Sequence, residues 1–144
     1  MNAEPLSTPV SLGLRLTALV YDLLPLLGLW FLAGVIGVAM TGGGFDAHRL
    51  DHKILMQALL LAFSAGYFVI SWSRGGQTIG MRAWKMRLTM QDGSHLAWSR
   101  ALLRFFLACV SLAIFGAGFW WSLFDPQRRT LHDAISDTRM TKVG

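Results

Sequence analysis

Charge is scarce in this chain, and cysteine nearly absent. Only 15% of the 144 residues are Asp, Glu, Lys or Arg, eight acidic against 13 basic, for a formal net charge of +5. The lone cysteine, Cys109, excludes an intrachain disulfide and gives no signal of redox compartment. It sits within an apolar run and reads as a small buried hydrophobe. There is no Gly-x-Ser-x-Gly, no His-Glu-x-x-His and no Gly-Lys-Ser/Thr, so the common hydrolase, zinc-protease and phosphate-loop signatures are missing. The run Gly75-Gly76-Gln77-Thr78-Ile79-Gly80 is glycine-rich but lacks the lysine that cradles a phosphate. With no nucleophile–base set in view, the chain is not expected to be an enzyme, and no cofactor is implied.

Where charge is missing says more. Leu23 to Met40 is 18 residues without a charge, Ile54 to Trp72 is 19 and Phe105 to Phe124 is 20. A helix rises about 1.5 Å per residue and needs roughly 20 apolar residues to cross the hydrocarbon core. A soluble chain of this size rarely buries three helices that are apolar on nearly every side. The implied solvent is therefore a lipid bilayer. Every Lys and Arg lies outside the three runs, close to their ends. Orientation bias and attraction to anionic lipid headgroups account for that placement. A nucleic-acid module would need a soluble basic face with interleaved aromatics, which is absent, so nucleic acid is not an expected partner. Residues 1–14 carry Glu4 and no Lys or Arg, so no basic n-region precedes the first run and an uncleaved first helix is expected.

Along the chain, residues 1–10 form a polar lead in which Pro5 and Pro9 block helix, and residues 11–143 form one membrane domain. The first helix is expected from Ser11, an N-cap residue, to about Met40, with Pro25 inside it, where membrane helices tolerate proline. Thr41-Gly42-Gly43-Gly44 ends it, and a polar connection over 45–53 leads to a second helix from Ile54 to Trp72. In the basic segment 73–100, Thr78 to Trp84 reads as a short interfacial helix. Lys85 to Met90 and Ser94 to Trp98 flank an Asp92-Gly93 turn and read as a β-hairpin. One internal echo stands out. Residues 78–89, TIGMRAWKMRLT, align without gaps to 130–141, TLHDAISDTRMT, so each copy is expected to be a short helix followed by a short strand.

Residues 73–104 hold six basic residues and one acid, whereas 41–53 hold two of each sign. The positive-inside rule places the first segment and the N-terminus in the cytoplasm. The tail from Asp125 has four basic residues, which a third full span would strand outside. The echo also calls for residues 78–89 and 130–141 to share one compartment, as paired strands. Both demands are met if 105–124 is a re-entrant hairpin broken at Gly116-Ala117-Gly118, and this reading is favoured. Against it, 20 uncharged residues suit one plain span. The fold expected is an all-α membrane protein with two transmembrane helices, a third apolar segment (hairpin or span) and a small cytoplasmic cap containing a short β-hairpin.

Arg15 and Asp22 are seven residues apart, on one helix face but about 10.5 Å apart along the axis. Each therefore needs another partner. An ionisable group within a membrane helix is a functional candidate by default; the alternative is that Asp22 marks the membrane edge, with Arg15 among the headgroups. Asp133, in Leu131-His132-Asp133, is the candidate third member, meeting Arg15 or an arginine from 74–104. Arg128 or Arg129 could neutralise Asp22. The connection Asp46-Ala47-His48-Arg49-Leu50-Asp51-His52 has two histidines four apart and two acids, but it sits in a loop and is not assigned a metal.

Four patterns in order resemble the RDD family of bacterial membrane proteins, named for one arginine and two aspartates. They are R15-LTALVY-D22; G76-QTIGM-R82 followed by M86-R-L; W98-SRALL-R104; and F124-DPQRRTLH-D133. The resemblance covers about residues 11–143 and implies that Arg15, Asp22 and Asp133 are the three name residues. Arg128, Arg129, His132, Asp125, Gln77, Gly80 and Arg104 lie in the same patterns as secondary candidates. Asp137 stands where the family more often has Gly. Family members are regarded as transporters of unidentified ligands, some linked to sodium–proton exchange. The resemblance thus implies a transporter or cation/proton antiporter in the bacterial inner membrane, using Asp22. Two spans cannot easily enclose a pathway, so that reading expects a homo-oligomer. The alternative is a non-enzymatic scaffold or regulatory module that binds a protein partner of unknown identity through its basic cap.

Overall fold

In the computed structural model of the protein, residues 9–143 are described. Most of the expected polar lead, Pro5 included, lies outside them. Helix α1 spans Leu12–Met40 and α2 spans Leu50–Gly75. Both are long and apolar enough to cross a membrane, with mean hydropathies of 2.2 and 1.9. Pro25 lies inside α1 without ending it. Left-handed Gly42 and Gly43 follow α1, and left-handed Gly76 follows α2, a backbone that glycine adopts without penalty. Helix α2 starts earlier than Ile54 because Asp51 in its first turn suits the positive end of the helix dipole.

The chain divides into two compact units: Leu23–Tyr67, and Met1–Asp22 with Phe68–Gly144. In the first, α1 and α2 are tied by Trp30 Nε1 donating to Ser64 Oγ at 2.8 Å. Its connection is ordered by local contacts: the Asp46 N–H donates to His52 Nδ1 at 2.9 Å, and Phe45 stacks on the same ring. The imidazole is thus part of the turn. Among the described residues no three His, Cys, Asp or Glu side chains gather as a metal site.

The second unit holds the start of α1, the end of α2 and everything after it. Its elements are α3 (Ile79–Ala83), β1 (Met86–Met90), α4 (Trp98–Ala113), α5 (Ala117–Trp120), a 3-10 turn (Trp121–Leu123), α6 (Leu131–Ile135) and β2 (Thr138–Lys142). A two-stranded sheet is present, but β1 pairs antiparallel with β2 rather than with residues 94–98. The Asp92-Gly93 turn does form, with the Met90 N–H donating to the Ser94 carbonyl at 3.1 Å. Pairing stops there because the 76–77 segment also binds β1: Leu88 N donates to Gly76 O at 2.7 Å and Gln77 Nε2 to Met86 O at 2.6 Å. Pairing with β2 places Met86, Leu88, Thr138 and Met140 on one buried face. The end of the lead joins this unit. Pro9 bridges to Thr141 and Val10 is 1% exposed.

The echo is structural. Thr78 and Thr130 occupy matched places and both cap a five-residue helix. Lys85 and Asp137, also matched, both take a left-handed backbone, as do Gly76 and Arg128 just outside the aligned blocks. Asp137 adopts the left-handed conformation that favours glycine. Leu88 is matched to Met140 and pairs with it, at the centre of the five-pair register. The two copies are thus related by a local two-fold through that pair.

Paired strands share a compartment, so the chain between β1 and β2 must leave and return on one side. Helix α4 ends at Ala113, Phe115 and Gly116 are both left-handed, and α5 with the 3-10 turn departs at 104° to α4. Gly116 N donates back to Ser111 O at 2.7 Å. Residues 105–124 therefore form a sharply bent helical hairpin with Phe115, 97% exposed, at the bend, and the pairing of β1 with β2 favours the re-entrant reading over a single span. In a Cys109→Ala background, single cysteines at Ser94 and Lys142 should label from the same face of oriented vesicles, and one at Gly43 from the opposite face. Labelling of residues 94 and 142 from opposite faces contradicts the hairpin.

Candidate functional site

Arg15 and Asp22 of α1 both point into protein, 4% and 1% exposed. Asp133 supplies the main partner for Arg15. Thr130 Oγ1 caps α6 by accepting from the Asp133 N–H, while Asp133 Oδ2 accepts from Thr130 N at 3.2 Å. This capping box fixes the Asp133 carboxylate. Arg15 Nη1 then donates to Oδ2, and Arg104 Nη1, from α4, donates to Oδ1. Arg104 and Asp133 are 3% and 0% exposed. One carboxylate thus ties α1, α4 and α6 together.

Each arginine reaches further. Arg15 Nη2 donates to the Arg128 carbonyl at 3.2 Å and Nε to the Val10 carbonyl at 3.4 Å, holding the lead and the tail. Arg104 Nη1 also donates to Thr138 Oγ1 at 3.0 Å at the start of β2. Its guanidinium lies 5.0 Å over the Trp72 ring of α2, within cation–π range.

Asp22 serves the first copy of the repeat. Thr78 Oγ1 donates to its Oδ2 at 2.6 Å, and the Gly80 N–H to its Oδ1 at 2.8 Å. At the place matched to Asp133 this copy has Met81, so α1 provides a carboxylate that α3 lacks. Gly80 is required by close approach, since a Cβ there would overlap the Ala18 carbonyl and lie 3.0 Å from Asp22 Cγ. Arg15, Arg104, Asp22 and Asp133 bring two guanidiniums and two carboxyl groups into the interior. Burial of such groups without partners is strongly unfavourable.

The remaining candidates fall in various places. Arg128 contributes its carbonyl. Arg129 Nε pairs with Asp125 Oδ2 at 3.2 Å, and backbone and side-chain donation from Arg129 lowers the Asp125 pKa. Neither arginine takes the role of neutralising Asp22 that its sequence position invited, because Thr78 and Gly80 approach that carboxylate. Gln77 braces β1. His132 is 3% exposed and stacks edge-on against Phe119 at 4.8 Å. Thr78, Thr130, Thr138 and Trp72 join the site without having been candidates from sequence. The Thr-x-x-Asp spacing at 130–133 signals the first capping threonine, and the echo transfers that role to Thr78.

Beside the network is a cavity of about 100 Å³, lined by Arg15, Asp22, Trp72, Arg104, Phe105 and His132 among others, with mostly apolar walls.

Burial opposes ionisation of Asp133, but Arg104 and Arg15 outweigh it and hold the carboxyl well below the usual carboxylate range. Burial, reinforced by Arg104, pushes His132 down to about 3. Both groups bind protons more readily in the unfolded chain, so stability falls as pH falls. For His132 the window lies between its ordinary 6.5 and about 3; Asp133 acts below the usual carboxylate range. In detergent, melting temperature should drop on acidification from about pH 7 to about pH 4, and His132→Gln should flatten that drop. An unchanged slope in the variant assigns it elsewhere. Asp133→Asn leaves two buried guanidiniums short of a counter-charge and should destabilise by about 3–5 kcal/mol. Urea unfolding in mixed micelles measures it, and a loss below about 1 kcal/mol contradicts the clamp.

No curated protein and no solved structure matches the chain. The family model of the RDD family matches residues 9–137, which takes in α1, α2, the bent hairpin, both capping threonines and Arg15, Asp22 and Asp133. This membrane protein belongs to the RDD family.

Proposed function

We propose that the protein acts without catalysis, as a module of the bacterial inner membrane that holds a basic cap on the cytoplasmic side and offers it to a protein partner. The observation that carries this reading is the placement of Asp133 between Arg15 and Arg104, all nearly inaccessible. Such an arrangement fixes elements in place. The outward face of the cap supports a binding role: Arg74, Arg82, Lys85, Arg87, Arg100 and Lys142 are all exposed. These side chains suit an acidic protein surface, with anionic headgroups as a second electrostatic contact. The positive-inside rule orients the N-terminus to the cytoplasm.

A second reading, cation/proton exchange at Asp22 within a homo-oligomer, is favoured by one observation: Asp22 lines the cavity beside the network. Against it, both carboxylate oxygens of Asp22 accept short hydrogen bonds that hold α3 to α1. Reconstitution separates the two. The module reading expects no sodium-driven proton flux above empty liposomes, and crosslinking in membranes that yields one defined protein partner, lost when Arg82, Lys85 and Arg87 are changed together to Gln. Flux that Asp22→Asn abolishes overturns it in favour of exchange.

A further inference from the structure

We propose that a second cavity, walled by the end of the lead, the tail and β2, binds the phosphate of a phosphomonoester, carried either by a phosphatidic acid headgroup or by a small soluble molecule. The cavity measures about 380 Å³ and is lined by Pro9, Arg15, Gln127, Arg129, Arg139 and Thr141 among others, with no Asp or Glu in its wall. Three guanidiniums around one space mark an anion site. Arg15 lends charge only, because its Nε, Nη1 and Nη2 already donate to Val10, Asp133 and Arg128. It shares Asp133 with Arg104, so those three side chains keep one positive charge in excess. The other two arginines have donors to spare. Asp125 takes the backbone N–H and the Nε of Arg129. That leaves the Arg129 Nη fork without an acceptor among the described residues, on a side chain 28% exposed. Arg139 has no hydrogen bond or ion pair with a described residue; its Nε is enclosed, but its Nη nitrogens are not. Asp92, within electrostatic reach of Arg139, is turned instead to Ser94, whose N–H and hydroxyl donate to its Oδ1 at 2.9 and 2.6 Å.

Two open forks set the number of oxygens the anion must bring. Each fork can donate to two oxygens in parallel. A carboxylate has only two, and a phosphodiester only two that are unesterified. A phosphomonoester offers three and carries about −1.5 to −2 charges near pH 7. Gln127 and Thr141 add neutral side-chain donors to the same wall. The volume falls in the range of small-molecule pockets, so inorganic phosphate alone underfills it and an organic group beyond the phosphorus has room. A lipid is within reach. Phe124, 83% exposed at the end of the bent hairpin, stands two residues before Pro126 of the cavity wall, at most about 7 Å along the chain. A headgroup can enter while its acyl chains lie against that ring. The inference does not rest on the protein-partner reading, because none of the exposed basic residues assigned to that partner lines this cavity.

The test uses the full chain in detergent micelles. Native mass spectrometry measures retention of phosphatidic acid and of phosphatidylglycerol with the same acyl chains, and calorimetry measures glycerol 3-phosphate. The variants are Arg139→Gln, Arg129→Gln and Arg139→Lys, the last of which keeps the charge and removes the fork. Melting temperature monitors folding. Phosphatidic acid should be retained in preference to phosphatidylglycerol. Its affinity should fall about tenfold or more in each Gln variant, the worth of a charge-assisted hydrogen bond, and Arg139→Lys should recover little of that loss. Retention of phosphatidic acid without binding of glycerol 3-phosphate identifies the lipid headgroup. Binding of glycerol 3-phosphate with the same dependence on Arg129 and Arg139 identifies the soluble phosphomonoester. If Arg129→Gln does not fold for want of its pair with Asp125, the two Arg139 variants decide. Equal retention of the two lipids, wild-type affinity in folded Arg139→Gln or Arg139→Lys, or no binding of either phosphomonoester means general attraction to a basic surface or none, and overturns the proposal.

Discussion

A single carboxylate held between two guanidiniums, out of reach of water, is the contact on which the rest of this structure depends. Removing any one partner leaves charge uncompensated in a poorly polarisable surrounding, where the desolvation penalty is large. Removing the carboxylate leaves two such charges. Geometry makes the contact selective. Asp133 is oriented by its own capping box with Thr130, so the arginines meet a preset acceptor. Arg15 brings α1 and the lead, and Arg104 brings α4 and the start of β2. The interaction is therefore also a statement of topology: a chain in which those five segments are not on one side of the bilayer cannot make it.

The internal repeat accounts for the two buried aspartates, Asp22 and Asp133. Both copies begin with a threonine-capped five-residue helix, turn through a left-handed residue and finish in a strand. In the second copy the carboxylate lies three residues after the threonine and belongs to the helix it caps. In the first copy that place is Met81, which is buried, and Asp22 of α1 supplies the acceptor from outside. The two aspartates thus do related work at the two helix starts. They differ in what they bind besides: Asp133 takes two arginines, and Asp22 takes a hydroxyl and a backbone amide. Gly80 is tied to that difference, since only a residue without a side chain lets α3 come close enough to α1. Substitution to Ala should force the helices apart.

Much of this is legible in the residues. The charge-free runs at 23–40 and 54–72 mark the two spans, because a helix apolar on every side over that length is at home in lipid and rarely in water. The echo between 78–89 and 130–141 foretells both short helices, both strands and their shared side. Sequence confines the arginine partner of Asp133 to Arg15 or the segment 74–104, and both sources contribute. The strand partner of β1 is not where local signals put it. Asp92-Gly93 is a strong turn signal, and no local rule reports that residues 76–77 already bind β1. The roles of Thr78 and Trp72 are hidden for a related reason. They come from tertiary approach, by Asp22 in one case and Arg104 in the other, and neither leaves a spacing in the sequence.

The most direct test of the central contact is a double-mutant cycle between Arg104 and Asp133, using Arg104→Met, Asp133→Leu and the pair, with unfolding free energies measured in mixed micelles. If the two charges sustain one another while buried, each single change is severe and the pair recovers much of the loss, giving a coupling of about 2–3 kcal/mol. Additive losses, with coupling near zero, would mean that Asp133 is not the group that holds Arg104 in the protein, and the clamp would have to be abandoned.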